Sequence, residues 1–159
     1  MYRVGIGYDA HRLVKNRNLI LGGVKIPFGK GLLGHSDADV LSHAIGDALL
    51  GSLALGDLGK HFPDTDKKYK NISSLKLLSH IGKKISKRKA EIVNIDSIIV
   101  AEMPKLSKYI NEMRQNLADT LKISKDKISV KATTTEKMGF VGKGEGMAAY
   151  AVVSIKLGK

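Results

Sequence analysis

Three side chains in this sequence could share one ion. Asp9 and His11 form a D-x-H pair, and His43 follows well downstream. The pair extends a strand-like stretch, and residues i and i+2 of a strand point the same way. One carboxylate and two imidazoles make the donor set of a catalytic metal site, with three protein ligands and one position open. The chain has no cysteine, so zinc here would have to be held by histidine and carboxylate. The H-E-x-x-H of zincins is absent. A non-haem iron triad uses the same ligand types and stays open as a rival, although the surrounding helices argue against an all-β barrel. A lone His43 would read as a hydrogen-bonded core histidine. It is not alone, because His35 stands just ahead of the same helix.

A second group of residues suits phosphate. The segment around Ser36 offers free N–H groups and the positive end of a helix dipole. Thr133, Thr134 and Thr135 supply hydroxyls, and Glu136 could hold a harder cation such as Mg²⁺ through oxygen. Without other signals, TTTE is an ordinary strand end. The G-x-G-x-G from Gly142 to Gly146 lacks the P-loop pattern and reads as an anion nest or a tight loop.

These groups need elements to hold them. The stretch from His35 to Asp57 reads as one long helix, with Ser36 and Asp39 as a capping-box-like start. Val40, Leu41, Ala44, Ile45, Ala48 and Leu49 recur at helical spacing, against a polar row of Asp39, His43 and Asp47. Gly46 and Gly51 inside it cost about 1 kcal/mol each relative to Ala, which suggests close approach by another backbone.

Ahead of this helix, Arg3 to Tyr8 reads as a strand with Val4, Ile6 and Tyr8 on one side. Leu19–Leu21 and Val24–Ile26 flank Gly22-Gly23 as a hairpin. Pro27, Gly29, Gly31 and Gly34 make a loop leading to His35. After the helix, Gly56, Gly59, Pro63 and three aspartates mark an irregular loop, a favoured place for ligand groups. Ser73 or Ser74 caps a helix with Leu75, Leu78, Ile81 and Ile85 inward. Glu91 to Glu102 is β-branched and strand-like, and Pro104 ends it. Ser107 caps a third helix carrying Ile110, Met113, Leu117 and Leu121. Ile128 to Thr135 alternates as a strand, Gly139 to Gly146 is a glycine-rich loop, and Met147 to Leu157 is the last strand. The mixture predicts an α+β fold, a mainly antiparallel sheet with helices packed on one face.

The bulk numbers bound the rest. The 159 residues, 43% of them hydrophobic, fit a single domain spanning 1–159. No apolar run approaches the ~20 residues of a membrane span. The chain runs straight from Met1 into a strand, with no targeting segment, so a cytoplasmic location is expected. The net charge of +12 admits a nucleic-acid footprint, but a solvated basic face that draws in anionic substrates explains it more simply. Aromatics are 5% of the chain and are not interleaved with the lysine runs, so stacking platforms for bases are missing. No nucleic-acid or membrane partner is expected.

Taken in order, DAH at Asp9–His11, GHSDAD at Gly34–Asp39, His43, GDLGKHFPDTD at Gly56–Asp66, AEMPK at Ala101–Lys105 and KATTTEKMGFVGKGEG at Lys131–Gly146 resemble the 2-C-methyl-D-erythritol 2,4-cyclodiphosphate synthase family. The resemblance runs nearly the whole length. It implies conversion of 4-diphosphocytidyl-2-C-methyl-D-erythritol 2-phosphate into the cyclic diphosphate and CMP, a phosphorus–oxygen lyase step of non-mevalonate isoprenoid synthesis. Asp9, His11 and His43 would bind one divalent transition metal per subunit, zinc first, with manganese or cobalt as alternatives. Glu136 would help hold Mg²⁺ or Mn²⁺ at a second site with substrate.

The resemblance also makes His35 and Thr134 stabilisers of the transition state. Asp57, Leu58 and Gly59 would contact the ribose. Ser36, with Phe62, Pro63, Asp64, Thr65 and Asp66, would line the methylerythritol pocket. Ala101, Glu102, Met103, Pro104, Lys105, Leu106 and Ser107 would enclose the cytosine and its phosphate, together with Ala132 and Thr133, and Thr135 would also bind substrate. Phe140 and Lys143 would complete the contacts. The family is a homotrimer with each active site shared between neighbouring subunits. It often carries Arg where this chain has Lys143, near an axial cavity that binds isoprenoid diphosphates in some members. Lys keeps the charge and loses the bidentate fork, so tight binding of such a ligand is not expected.

Overall fold

The computed structural model describes residues 1–158. β1 (Tyr2–Lys15) is followed by β2 (Leu19–Leu21), β3 (Val24–Ile26) and β4 (Lys30–Leu32). Next come α1 (Val40–Ser52), the single turn α2 (Leu58–His61), α3 (Ser74–Lys87) and β5 (Ala90–Val100). The chain closes with α4 (Ile110–Leu121), β6 (Ile128–Thr133), the single turn α5 (Gly139–Gly142) and β7 (Gly146–Leu157). The main sheet has the order β4-β1-β7-β5-β6, and β2 and β3 form a separate hairpin. Every pairing is antiparallel except β5 with β6, which is parallel. The core lies between the sheet and α1, α3 and α4, with Leu41, Ile45, Leu49, Ile81, Ile95 and Ile99 fully buried. The expected α+β fold with helices on one face is what forms.

The β1–α1 contact sets the geometry of everything near the site. Strand residues alternate faces, and Gly5 and Gly7 are the ones turned toward α1. A Cβ on Gly5 would stand 1.9 Å from the Ala48 carbonyl oxygen, and one on Gly7 1.9 Å from that of Ala44. Backbone therefore lies directly on backbone. The intervening residues point to the other face, where Val4 and Ile6 are 67% and 71% exposed. Tyr8, Tyr150 and Val152 share that bare face, and the Tyr8 and Tyr150 rings lie 4.8 Å apart.

Some local expectations are corrected. The long helix starts at Val40, and its N-cap is Asp39, whose side chain accepts from the Ser42 N–H. Ser36 lies upstream, outside the helix. The helix stops at Ser52 and does not reach Asp57. The close backbone approach comes from the strand glycines, whereas Gly46 faces side-chain atoms of Ile81 and Leu58. Part of the loop after α1 winds into α2, and the start of the glycine-rich loop winds into α5. β6 ends at Thr133, short of the expected Thr135, and the chain turns at Glu136 and Lys137, which take left-handed backbone angles (φ 52° and 65°). The hairpin turn is as expected, with Gly22 and Gly23 both at positive φ.

Candidate functional site

Beyond Gly5 and Gly7, the next two residues on the same face of β1 are Asp9 and His11. α1 runs over the glycines and brings His43, in its first turn, onto them. His11 Nε2 lies 2.8 Å and His43 Nδ1 3.0 Å from Asp9 Oδ2, and the two ring nitrogens are 3.2 Å apart. One ligand atom from each of the three residues falls within 4.8 Å of the others. All three side chains are partly buried, with 16–24% of their surface exposed. The donor set and spacing suit a divalent ion with an open position facing solvent.

The charges of Asp9 and His43 are coupled. Burial opposes charge on Asp9, but hydrogen bonds from His11 and His43 overcome it and hold the carboxyl below the ordinary carboxylate range. Burial likewise opposes charge on His43, and Asp9, with Asp39 and Asp37 behind it, raises its pKa above the usual histidine value.

The other nitrogen of His43 faces inward. Nε2 lies 2.9 Å from Ser74 Oγ and 3.1 Å from Ser36 Oγ. Ser74 Oγ–H is in very short contact with Asp37 Oδ1, and the Ser74 N–H donates to Asp37 Oδ2 at 3.0 Å. The series Ser74–His43–Asp9 has the connectivity of a nucleophilic triad. Ser74 is nonetheless 1% exposed and its proton is committed to Asp37, so it cannot attack a substrate. Sequence reading missed Ser74 as a site residue and gave Asp37 no role. Their partners lie 31 to 37 residues away, beyond any local pattern.

A cavity of about 190 Å³ adjoins the triad, lined by His11, His35, Ser36, His43, Leu58, Phe62 and Asp64 among others. Its walls are fixed from outside. The Arg17 guanidinium donates to the Ser36 carbonyl at 3.0 Å, and the Asn71 N–H to the His35 carbonyl at 2.8 Å. Asp47 Oδ1 accepts from the Leu58 N–H at 2.8 Å, and Asp57 caps α2 through the Lys60 N–H. Asp66 caps the turn that follows, and its carbonyl lies 3.3 Å from His35 Nε2. Two cavities of about 520 Å³ lie elsewhere, one beside the ends of α3 and α4 and one near Met1, and neither contains a histidine.

The remaining expected site residues form a second cluster. Because β5 and β6 run parallel, Ala101–Ser107 and Ala132–Glu136 leave the sheet side by side, tied by the Ala101 N–H to the Thr133 carbonyl at 2.9 Å. Glu102 Oε1 accepts from the N–H of Thr135 and of Lys137 at 2.9 and 3.2 Å. Thr134 Oγ1 donates to Glu136 Oε1 at 3.1 Å. Phe140 is 43% exposed beside this cluster's cavity, which Glu102, Met103 and Lys143 line. The register runs Asp9–Ala149–Ile99–Ala132 across four strands, so the clusters sit roughly 14 Å apart at ~4.8 Å per strand. One chain brings the metal side together and the threonine side together, but not the two to each other.

Fold and site define an α+β protein built around a candidate divalent-metal centre. The YgbB family model matches residues 2–156, and the chain belongs to that family. A 2-C-methyl-D-erythritol 2,4-cyclodiphosphate synthase of Lachnospira eligens is 61% identical over 153 residues, 96% of this chain and 84% of its own. The bifunctional IspDF of Campylobacter jejuni superposes with a TM-score of 0.96 at 44% identity over the whole of this chain, which spans 43% of that protein. IspF of Plasmodium falciparum, solved as a CDP complex, gives a TM-score of 0.87 at 32% identity, over 99% of this chain and 97% of its own.

Proposed function

We propose that this chain is one catalytic domain that converts 4-diphosphocytidyl-2-C-methyl-D-erythritol 2-phosphate into 2-C-methyl-D-erythritol 2,4-cyclodiphosphate and CMP, in the non-mevalonate route to isoprenoids. The observation that carries the reading is the convergence of Asp9, His11 and His43 in a chain so close to relatives bearing that enzyme's name. The reaction is an intramolecular displacement. The substrate's 2-phosphate attacks the β-phosphorus, CMP leaves in line, and no protein nucleophile is needed.

Asp9, His11 and His43 would hold a zinc, manganese or cobalt ion, and Glu136 would help hold Mg²⁺ or Mn²⁺ with the substrate. Bound ions of this kind act as Lewis acids and templates for clustered phosphate oxygens. The protein's own groups orient and stabilise. His35 and Thr134 place donors where charge develops. Ser36 and Phe62–Asp66 would seat the methylerythritol, Asp57–Gly59 the ribose, and Ala101–Ser107 with Ala132–Thr135 the cytidine phosphate. Holding both reacting phosphates in one frame supplies orientation.

The reading includes a homotrimer. Its support is the separation of the two clusters within one chain, together with the bare apolar face of the sheet. A heterologous contact that closes as a three-fold ring would place the metal side of one subunit against the threonine side of the next. The reading also places the enzyme in the cytoplasm, where a cysteine-free chain has no disulfides to form. No helix of the described residues is long and apolar enough to cross a membrane.

The test is CMP release from the diphosphocytidyl substrate. A chelator and the substitution His43→Ala should each reduce it to background, with metal restoring activity to the chelated wild type. An unchanged rate after both treatments would refute the metal role.

A further inference from the structure

The hydrogen-bond chain behind His43 has a direction, and its direction decides which ring nitrogen is free to bind a metal. Asp37 grips Ser74 with both carboxylate oxygens, one taking the hydroxyl proton and the other the backbone N–H. A hydroxyl has a single proton. Ser74 Oγ has given its proton to a carboxylate that can only accept, so toward His43 it can only accept in turn. The contact at 2.9 Å is therefore Nε2–H donating to Ser74 Oγ. Ser36 Oγ, at 3.1 Å from the same nitrogen, accepts from the Ala38 N–H and has Ser74 Oγ at 3.5 Å to take its own proton. With Nε2 keeping its proton, Nδ1, the nitrogen that faces Asp9 and His11, is the one that gives up the proton it shares with Asp9 when an ion binds, and its lone pair then faces the ion.

We propose that Asp37 and Ser74 are positioning residues of the metal centre: the Asp37 carboxylate fixes the Ser74 hydroxyl as an acceptor, and the hydroxyl in turn holds His43 as the tautomer and in the orientation that present Nδ1 to the ion. The proposal rests on the reading of Asp9, His11 and His43 as metal ligands. The parts come from three places in the fold. Asp37 is in the bend before α1 and its own N–H is held by the Ile72 carbonyl at 3.0 Å. Ser74 is the first residue of α3, and His43 sits in α1. The α1–α3 packing thus sets ligand orientation, and outer partners of this kind are worth 10–100-fold in metal affinity.

The two substitutions act differently. Ser74→Ala removes the acceptor. Asp37→Asn puts an NH₂ donor on Ser74, frees the serine proton for His43 Nε2, and favours the wrong tautomer. The full-length protein is titrated with Co²⁺ in competition with a chromophoric chelator, and the ring nitrogens of His43 are read from long-range ¹H–¹⁵N spectra of the zinc-loaded protein. Both variants should bind Co²⁺ about 10–100-fold more weakly than wild type. The double variant should fall short of the product of the two effects, since both cut one chain. In wild type, the spectrum should show Nε2 protonated and Nδ1 metal-bound.

His43→Ala tests the underlying reading separately. If it binds Co²⁺ as wild type does, the ligand assignment itself fails. If it loses binding while Ser74→Ala and Asp37→Asn bind as tightly as wild type, the positioning role is wrong. The spectrum needs only the wild-type protein, so it decides the matter even if a variant does not fold. A His43 unprotonated at Nε2 overturns the proposal.

Discussion

At the scale of single residues, Asp39 and His43 show how far helical spacing can be read. They lie four apart and belong to the same polar row, yet their tasks differ. His43 faces Asp9. Asp39 is completely buried and meets four donors, the N–H groups of Gly22, Gly23 and Ser42 and the Ser42 hydroxyl, all at 2.8–3.0 Å. It ties the β2–β3 turn to the start of α1. Spacing placed both residues on one stripe but said nothing about depth, and two of the four donors to Asp39 come from a turn 16 and 17 residues away. Asp39→Asn keeps the volume and, whichever way the amide turns, points its NH₂ at a backbone N–H that can only donate. It should cost about 2–3 kcal/mol and lower Tm by roughly 4–10 °C, measured by thermal unfolding. An unchanged Tm would show that the four contacts contribute nothing net.

Among the elements, the β1–α1 contact carries the site, and it was the least legible part of the sequence. The alternation of Val4, Ile6 and Tyr8 announces a strand correctly. It does not announce that the apolar side is the bare one and the glycine side the covered one. Gly46 and Gly51 stand out because glycine is costly in a helix, whereas Gly5 and Gly7 have no role in the reading of the sequence. Close approach of two backbones is a property of the pair, and neither segment shows it alone. Gly7→Ala should push α1 off the strand, because its Cβ would meet the Ala44 carbonyl at 1.9 Å and backbone cannot rotate away. We expect a loss of about 3 kcal/mol or more together with weaker Co²⁺ binding, since His43 moves with the helix. Gly51→Ala is the control. Its nearest neighbour would be 3.8 Å away, so stability should hold or rise by up to about 1 kcal/mol with metal binding intact. Equal losses in the two variants would mean that the close contact at Gly7 does not set the spacing.

For the whole molecule, the sequence motifs named both clusters, but the distance between them follows only from strand order. Asp9 and Ala132 share a register row with two strands between them. On the proposed reading, a second copy of the chain would bring a threonine side next to each metal side, and Ile6, Val152, Tyr8 and Tyr150 would offer the surface for it. Ile6 and Val152 are cross-strand partners and both are exposed in the single chain, so Ile6→Glu puts a charge where the monomer already meets water and should cost the monomer little. Buried in a subunit contact, the same charge would be unpaired and strongly disfavoured. Wild type should sediment at three times the 17.2 kDa chain mass, and Ile6→Glu at the mass of one chain with an unchanged circular dichroism spectrum. Because Asp9, His11 and His43 come from a single chain, the dissociated variant should still bind Co²⁺. It should release no CMP, since each metal side has lost the threonine side of its neighbour. A monomer that kept full CMP release would mean that one chain closes the 14 Å gap by itself, and the shared site would have to be abandoned.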